Sequence, residues 1–183
     1  MKKTIRLVAL SLATMVAAFV VVGTIAPKQI QIRSTVRIQA PKEAVFPQIN
    51  NFQNFPSWSP FLETDPEQVY YITGTDGAVG AQYHWQGNKE ETAGYQELQA
   101  LSEDSIQINC FMSKPMTTTS SFHYRLSTSG DCTTVTQDFS MNLPFPMNAL
   151  APIFGIKEKI AQTNERGLNN LKCLIEKNEY SQR

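Results

Sequence analysis

The chain has 183 residues, with 16 basic and 16 acidic side chains and no net charge. That length gives room for one domain with a real core plus a short extra segment. Without a basic surplus there is no footprint for nucleic acid, and without an acidic surplus there is no solvating tail.

Leu7 to Ile25 carries no charge, and as a helix it spans roughly 28 Å, close to the hydrocarbon thickness of a bilayer. Lys2, Lys3 and Arg6 precede it, which predicts a single-pass anchor with a cytoplasmic N-terminus and an extracytoplasmic domain behind it. The competing reading is a cleaved signal peptide. Its apolar run is normally shorter, Thr24-Ile25-Ala26 is a poor cleavage pattern, and Pro27 hinders cleavage, so the uncleaved anchor is preferred. The predicted division is 1–28 as membrane anchor and 29–183 as a ligand-binding domain.

Gln29 to Gln39 reads as a strand with Ile30, Ile32, Ser34, Val36 and Ile38 on one face. Pro41 suits a helix start, and Lys42 to Asn50 places Val45, Phe46 and Ile49 together. Pro47 predicts a bend or break in that helix. Asn50-Asn51 can cap a second short helix through Phe55, stopped by Pro56, and Trp58 to Pro66 reads as a loop. Val69 to Thr73 is a short strand, and Gly74-Thr75-Asp76-Gly77 is turn chemistry. Val79 to Gln86, Glu91 to Leu101, Ser105 to Met112, Thr117 to Thr128 and Cys132 to Asn142 follow as strands. Strands at this spacing without intervening helices form an antiparallel meander. A final helical region, Asn148 to about Glu176, carries the apolar stripe Ile153, Ile156, Ile160, Gly167, Leu168, Leu171, Leu174 and Ile175, with Gly155 marking a bend. One long helix on a curved antiparallel sheet is an α+β architecture.

Cys110, Cys132 and Cys173 are an odd number at separated places, which predicts unpaired thiols. No serine elbow, phosphate loop or dinucleotide fingerprint appears, and no cofactor is expected. Metal binding is disfavoured as well: no His or Cys stands at ligand spacing, and Glu90-Glu91 adjoin a turn. Glu63, Asp65 and Glu67 alternate like a weak cation loop but lack the glycine and distal glutamate of a calcium site, so they read as a solvated acidic loop.

Ala40-Pro41 with Val45-Phe46, then Asn51-Phe52, Trp58-Ser59-Pro60, the stretch Gly80-Ala81-Gln82-Tyr83-His84-Trp85-Gln86-Gly87, and Gly167-Leu168-x-x-Leu171 occur in this order. The ordered set resembles the membrane-anchored branch of the polyketide cyclase/dehydrase and lipid-transport family, in the SRPBCC superfamily of START-like and pollen-allergen-like proteins. The resemblance covers Ile30 to Glu176. It implies a helix-grip fold: a sheet curled around the C-terminal helix, enclosing an apolar cavity that takes lipids, sterols, polyketides or other hydrophobic molecules. It carries over no catalytic residues.

Strand alternation and the helical stripe nominate Trp58, Tyr83, Trp85, Ile108, Phe122, Tyr124, Gln137, Phe139, Ile160 and Leu168 as cavity candidates, with ordinary core as the alternative for each. Gln137 stands in an apolar row where the family usually carries a large apolar side chain. It is either an orienting group for a ligand, a partner of Tyr83, Tyr95 or Tyr124, or a strand-end residue in water. His84 and His123 point away from the cavity if Tyr83, Trp85, Phe122 and Tyr124 point in. Trp58, Phe61, Phe145 and Met147 either form a cavity mouth, touch the bilayer, or seal the core. The expected function is non-enzymatic binding of a hydrophobic small molecule or lipid by a membrane-tethered domain. Two alternatives stay open: a cyclase- or dehydratase-type enzyme using His84, His123 or Glu97, and an interaction module with a filled core.

Overall fold

The computed structural model describes residues 2–88 and 91–181; Met1, Lys89, Glu90 and the last two residues of the chain lie outside them. Helix α1 (Lys2–Ile25) is 24 residues long. By length and composition it can cross a membrane, a property that a signal sequence shares.

Strand β1 (Gln29–Ile38) buries Ile30, Ser34 and Ile38, half-buries Ile32 and Val36 on the same face, and exposes the alternate residues, as period-two alternation requires. Helix α2 (Lys42–Asn50) runs unbroken through Pro47, so of the expected bend or break the break does not occur. The carbonyl of Pro47 still accepts from the Asn51 amide at 3.3 Å and from Asn54 Nδ2 at 3.0 Å. Pro56 does not stop a helix; it opens a 3-10 turn, Phe55–Ser57. The segment read as a loop contains helix α3 (Pro60–Thr64), with Pro60 in its first turn and the Ser59 hydroxyl accepting from the Phe61 amide.

Strands β2 (Val69–Thr73), β3 (Gln82–Gln86), β4 (Ala93–Ser102), β5 (Ser105–Lys114), β6 (Thr118–Ser129) and β7 (Cys132–Asn142) complete one sheet. Its order is β1-β7-β6-β5-β4-β3-β2, antiparallel throughout. Strand β3 starts at Gln82 rather than Val79 because Gly80 sits at φ 89° and Ala81 closes a turn onto Ala78. The β2–β3 connection also does capping work. The Asp76 carboxylate accepts from the Phe52 and Gln53 amides at 2.7 and 3.0 Å, holding the chain after α2.

Helix α4 (Met147–Leu150) and helix α5 (Ile156–Ser181) are separated by a turn ending at Gly155, which has φ 60°. Ile153 is exposed in that turn and drops out of the expected stripe. The C-terminal half of α5 buries Leu168, Leu171 and Ile175 against α2 residues Val45 and Ile49 and the sheet. Its N-terminal half meets a separate cluster of Ile30, Phe139, Leu143 and Ala151 through Ile156 and Ile160. The main core and this smaller one leave unfilled space between the sheet and the first turns of α5.

The last turn of α1 docks on α4. Buried Asn148 donates from Nδ2 to the Gly23 and Ala26 carbonyls at 2.6 and 3.2 Å, filling acceptors that the helix end leaves free. Phe145 packs on Phe19 with ring centroids 5.7 Å apart, and a side chain at Gly23 would collide with it.

On the outer face, Asp138 accepts from Arg33 Nε at 2.5 Å and also pairs with Arg125. The Arg33 hydrogen bond, aided by the Arg125 charge, holds the Asp138 carboxyl below its ordinary value of 3.8. A carboxyl depressed by folding stabilises above the unfolded value and loses that contribution as pH falls through the folded one. Asp138→Asn is therefore expected to cost less than about 1 kcal/mol at neutral pH, as a solvent-screened pair should. In urea melts taken as a function of pH, that cost should vanish once the parent carboxyl is protonated below its folded pKa.

Candidate ligand cavity

A cavity of about 620 Å³ lies between the sheet and the N-terminal half of α5. Its size is that of a small-molecule site. Tyr83 and Trp85 of β3, Met112 of β5, Phe122 of β6, Phe139 and Met141 of β7 and Ile160 of α5 form its apolar wall. Phe61, Asp65, Asn88 and Lys159 also line it. A smaller void of about 20 Å³ adjoins it, bounded by Trp58, Tyr124, Gln137 and Asn164. The two share Phe55, Phe61, Gln96, Phe122, Thr163 and Asn164 as lining.

Of the candidates nominated from sequence, Tyr83, Trp85, Phe122, Phe139 and Ile160 face the large cavity. Trp58, Tyr124 and Gln137 face the small void. Ile108 and Leu168 face neither; both sit in the main core, where the sheet and the C-terminal half of α5 close together. Phe55, Gln96 and Asn164 line the site without having been nominated, and Phe61, considered from sequence for the cavity mouth, lines both spaces. Asn164 lies four residues after Ile160 and four before Leu168, so its place on the apolar face was readable from helical spacing.

Local chemistry explains how the walls are held. Trp85 stands opposite Gly94, and a Cβ there would lie 2.7 Å from the indole ring and 2.2 Å from the Phe111 carbonyl oxygen. Glycine at that position lets the indole lie flat across β4. Trp58 is buried, donates from Nε1 to the Gln48 carbonyl at 2.8 Å and meets Phe55 edge-on at 5.0 Å. Gly167 lets α5 approach the Pro60 ring, which a Cβ there would reach at 3.3 Å.

Gln137 is buried and donates from Nε2 to Tyr124 Oη at 2.8 Å, one of the three tyrosine partners considered from sequence. Burial raises the pKa of Tyr83 and Tyr124 far above the ordinary phenol value, the Gln137 bond opposing this at Tyr124. Burial also pushes the Cys110 thiol up to about 11, against a lowering bond from Ser120. All three stay neutral at physiological pH, so none supplies an anion to the cavity.

His84 and His123 lie on the outer face. His84 Nε2 sits 3.0 Å from Gln82 Oε1 and stacks on Tyr71 with ring centroids 4.7 Å apart. His123 Nε2 is 2.8 Å from Ser105 Oγ. Glu97 accepts from Gln82 and Gln99, each at 2.8 Å, on the same side. The three groups named from sequence for a catalytic alternative, His84, His123 and Glu97, are therefore separated from the cavity by the sheet, while Asp65, Glu91 and Lys159 line it. Among the described residues no group of three His, Cys, Asp or Glu side chains converges. Glu63 pairs with Arg166 at 2.7 Å, Asp65 accepts from the Asn88 amide at 2.8 Å, and Glu67 bonds the Asn88 side chain, so the acidic loop is tied down in different directions.

An open depression of about 330 Å³ lies on the outer face beside Tyr95, Glu97, Asn109 and Ser140. Glu97 is already paired there, and among the described residues that line the hollow none has a buried, unpartnered side-chain polar atom.

The family model described as polyketide cyclase / dehydrase and lipid transport matches residues 29–176. No curated protein matches the chain. Among solved structures, protein CV1439 of Chromobacterium violaceum superposes with a TM-score of 0.59 at 14% identity, over 80% of this chain and 96% of that one. Ara h 8.0201 gives 0.59 at 10% identity, over 80% and 97%. A protein of Nitrosospira multiformis gives 0.53 at 22% identity, over 78% and 94%. At such identities these likenesses establish the helix-grip fold and nothing about ligand or activity.

Proposed function

The chain belongs to the polyketide cyclase/dehydrase and lipid transport family, and on that premise we propose that it binds a hydrophobic small molecule or lipid in the cavity beneath α5 without transforming it. The observation that carries this reading is the cavity of about 620 Å³ walled by aromatic and aliphatic side chains. Removing apolar ligand surface from water there supplies roughly 25 cal/mol per Å². The outward placement of His84, His123 and Glu97 supports binding over turnover.

In the same reading, residues 1–28 tether the binding domain, 29–183, to a membrane, with the N-terminus cytoplasmic and the domain outside. Lys2, Lys3 and Arg6 ahead of an uncharged stretch support that orientation. The docking of α1 on α4 supports an anchor that holds the domain close to the bilayer rather than on a loose linker. Hydrophobic ligands concentrate in membranes, so the site would fill from the lipid phase.

Photolabelling tests the proposal. The full chain is placed in vesicles containing a diazirine-bearing long-chain alcohol, irradiated and digested. Adducts are expected on β3, β6, β7 and the first half of α5, at Tyr83, Phe122, Phe139 or Ile160. Adducts confined to α1 would mean that the chain meets lipid only through its anchor, and the binding role would fall.

A further inference from the structure

Six buried side-chain polar atoms lack a hydrogen-bond partner among the described residues. Two of them, Gln137 Oε1 and Asn164 Nδ2, belong to side chains that bound the void of about 20 Å³ at the inner edge of the cavity. Gln137 is 4% exposed and Asn164 7%, so bulk water does not satisfy them. Gln137 comes from β7 and Asn164 from α5; two separate elements thus each bring a side chain with an unpaired amide end to the lining of one space. Leaving a buried amide half-paired weakens a fold, and an apolar residue at either position would avoid that cost.

We propose that this void seats a hydroxyl group at the buried end of an uncharged, otherwise apolar ligand, held between Gln137 and Asn164. The inference rests on the cavity-binding reading and narrows its ligand class. A void of this size takes about one oxygen atom. Gln137 Oε1 needs a donor and Asn164 Nδ2 an acceptor, and a hydroxyl is the smallest group that supplies both. Turning the Gln137 amide over presents two N–H groups instead, and the two lone pairs of one hydroxyl oxygen accept from both. A carboxylate only accepts, and among the described residues no charged side chain lines the void to offset its burial. Asp65, Glu91 and Lys159 line the large cavity only. In the empty protein a single water fits the same position, to be displaced by the ligand hydroxyl.

Matched probes on one skeleton test this: naphthalene, 2-naphthol and 2-naphthoate, titrated by calorimetry into the full chain in nanodiscs, with empty nanodiscs as reference. The expected order places 2-naphthol about tenfold tighter than naphthalene, and 2-naphthoate weakest, because one well-made hydrogen bond is worth about that factor. In Gln137→Leu, and independently in Asn164→Leu, the ratio of 2-naphthol to naphthalene affinity should fall to within about twofold. Circular dichroism identifies a variant that fails to fold, and the other then decides. Equal binding of naphthol and naphthalene by the parent, a preference that survives both substitutions, or tightest binding of naphthoate would overturn the hydroxyl seat while leaving the cavity as a binding site. If none of the three probes binds, the cavity-binding reading itself is lost, and this inference with it.

Discussion

Trp58→Ala is expected to lower the unfolding free energy by about 3–5 kcal/mol, the range for removing a large buried aromatic. Two losses add. The indole is almost fully buried among Phe55, Gly167 and the small void, so its removal leaves a cavity that rigid neighbours fill poorly. The Gln48 carbonyl loses its donor at 2.8 Å. Water entering the widened void beside Gln137 can pair with the two unpaired amide ends and offsets a part of this cost. Trp58→Phe separates these effects. It keeps most of the packing and removes the donor, and should cost about 1–3 kcal/mol, chiefly for the orphaned carbonyl. Urea melts of both variants followed by far-UV circular dichroism give the two numbers. A Trp58→Ala variant within 1 kcal/mol of the parent would mean that the indole is a mouth residue and not a packing one.

Ser120→Trp is expected to weaken binding of any cavity ligand by about 100-fold while leaving the fold intact. Ser120 faces the cavity from β6, opposite Cys110 and Met141. An indole at that position projects into space that is already open, so it does not force a closed core apart. Overfilling a packed interior costs about 1–3 kcal/mol, and here that cost falls on the ligand rather than on the fold. The 2-naphthol titration reads the affinity, and thermal unfolding reads the stability. Undiminished affinity in a folded variant would place the bound molecule outside the cavity.

The two substitutions touch parts of the molecule that differ in how readable they were. The sheet was accessible because Ile30, Ile32, Ser34, Val36 and Ile38 alternate with polar residues, and because Tyr83 and Trp85 flank a histidine. Alternation fixes which side chains share a face, and it put Gln137 among apolar neighbours before any contact was known. It does not say how far the helix stands off the sheet, which separates Phe139 in the cavity wall from Ile108 in closed core. Helix α3 escaped notice because its five residues have no periodicity to detect; only Ser59-Pro60 hinted at it. Asn164 was missed for a different reason. A polar residue on a helix is read by default as solvated, although its neighbours four residues away on either side are apolar. The Asn148 bonds to the end of α1 were beyond sequence reasoning altogether, since they join residues 125 and 122 positions apart.

The pairing of β1 with β7 also sets when this molecule can fold. Arg33 and Asp138, which bridge the two strands, are separated by 105 residues. At synthesis rates of about 5–20 residues per second, β1 waits roughly 5–20 s for its partner. During that interval the apolar row from Ile30 to Ile38 has no sheet to join. Closing so long a loop comes late and slowly, as in other proteins dominated by non-local strand pairs. A nascent chain arrested before Cys132 should therefore remain protease-sensitive across its whole sheet, even though five of its seven strands could already pair with their sequence neighbours.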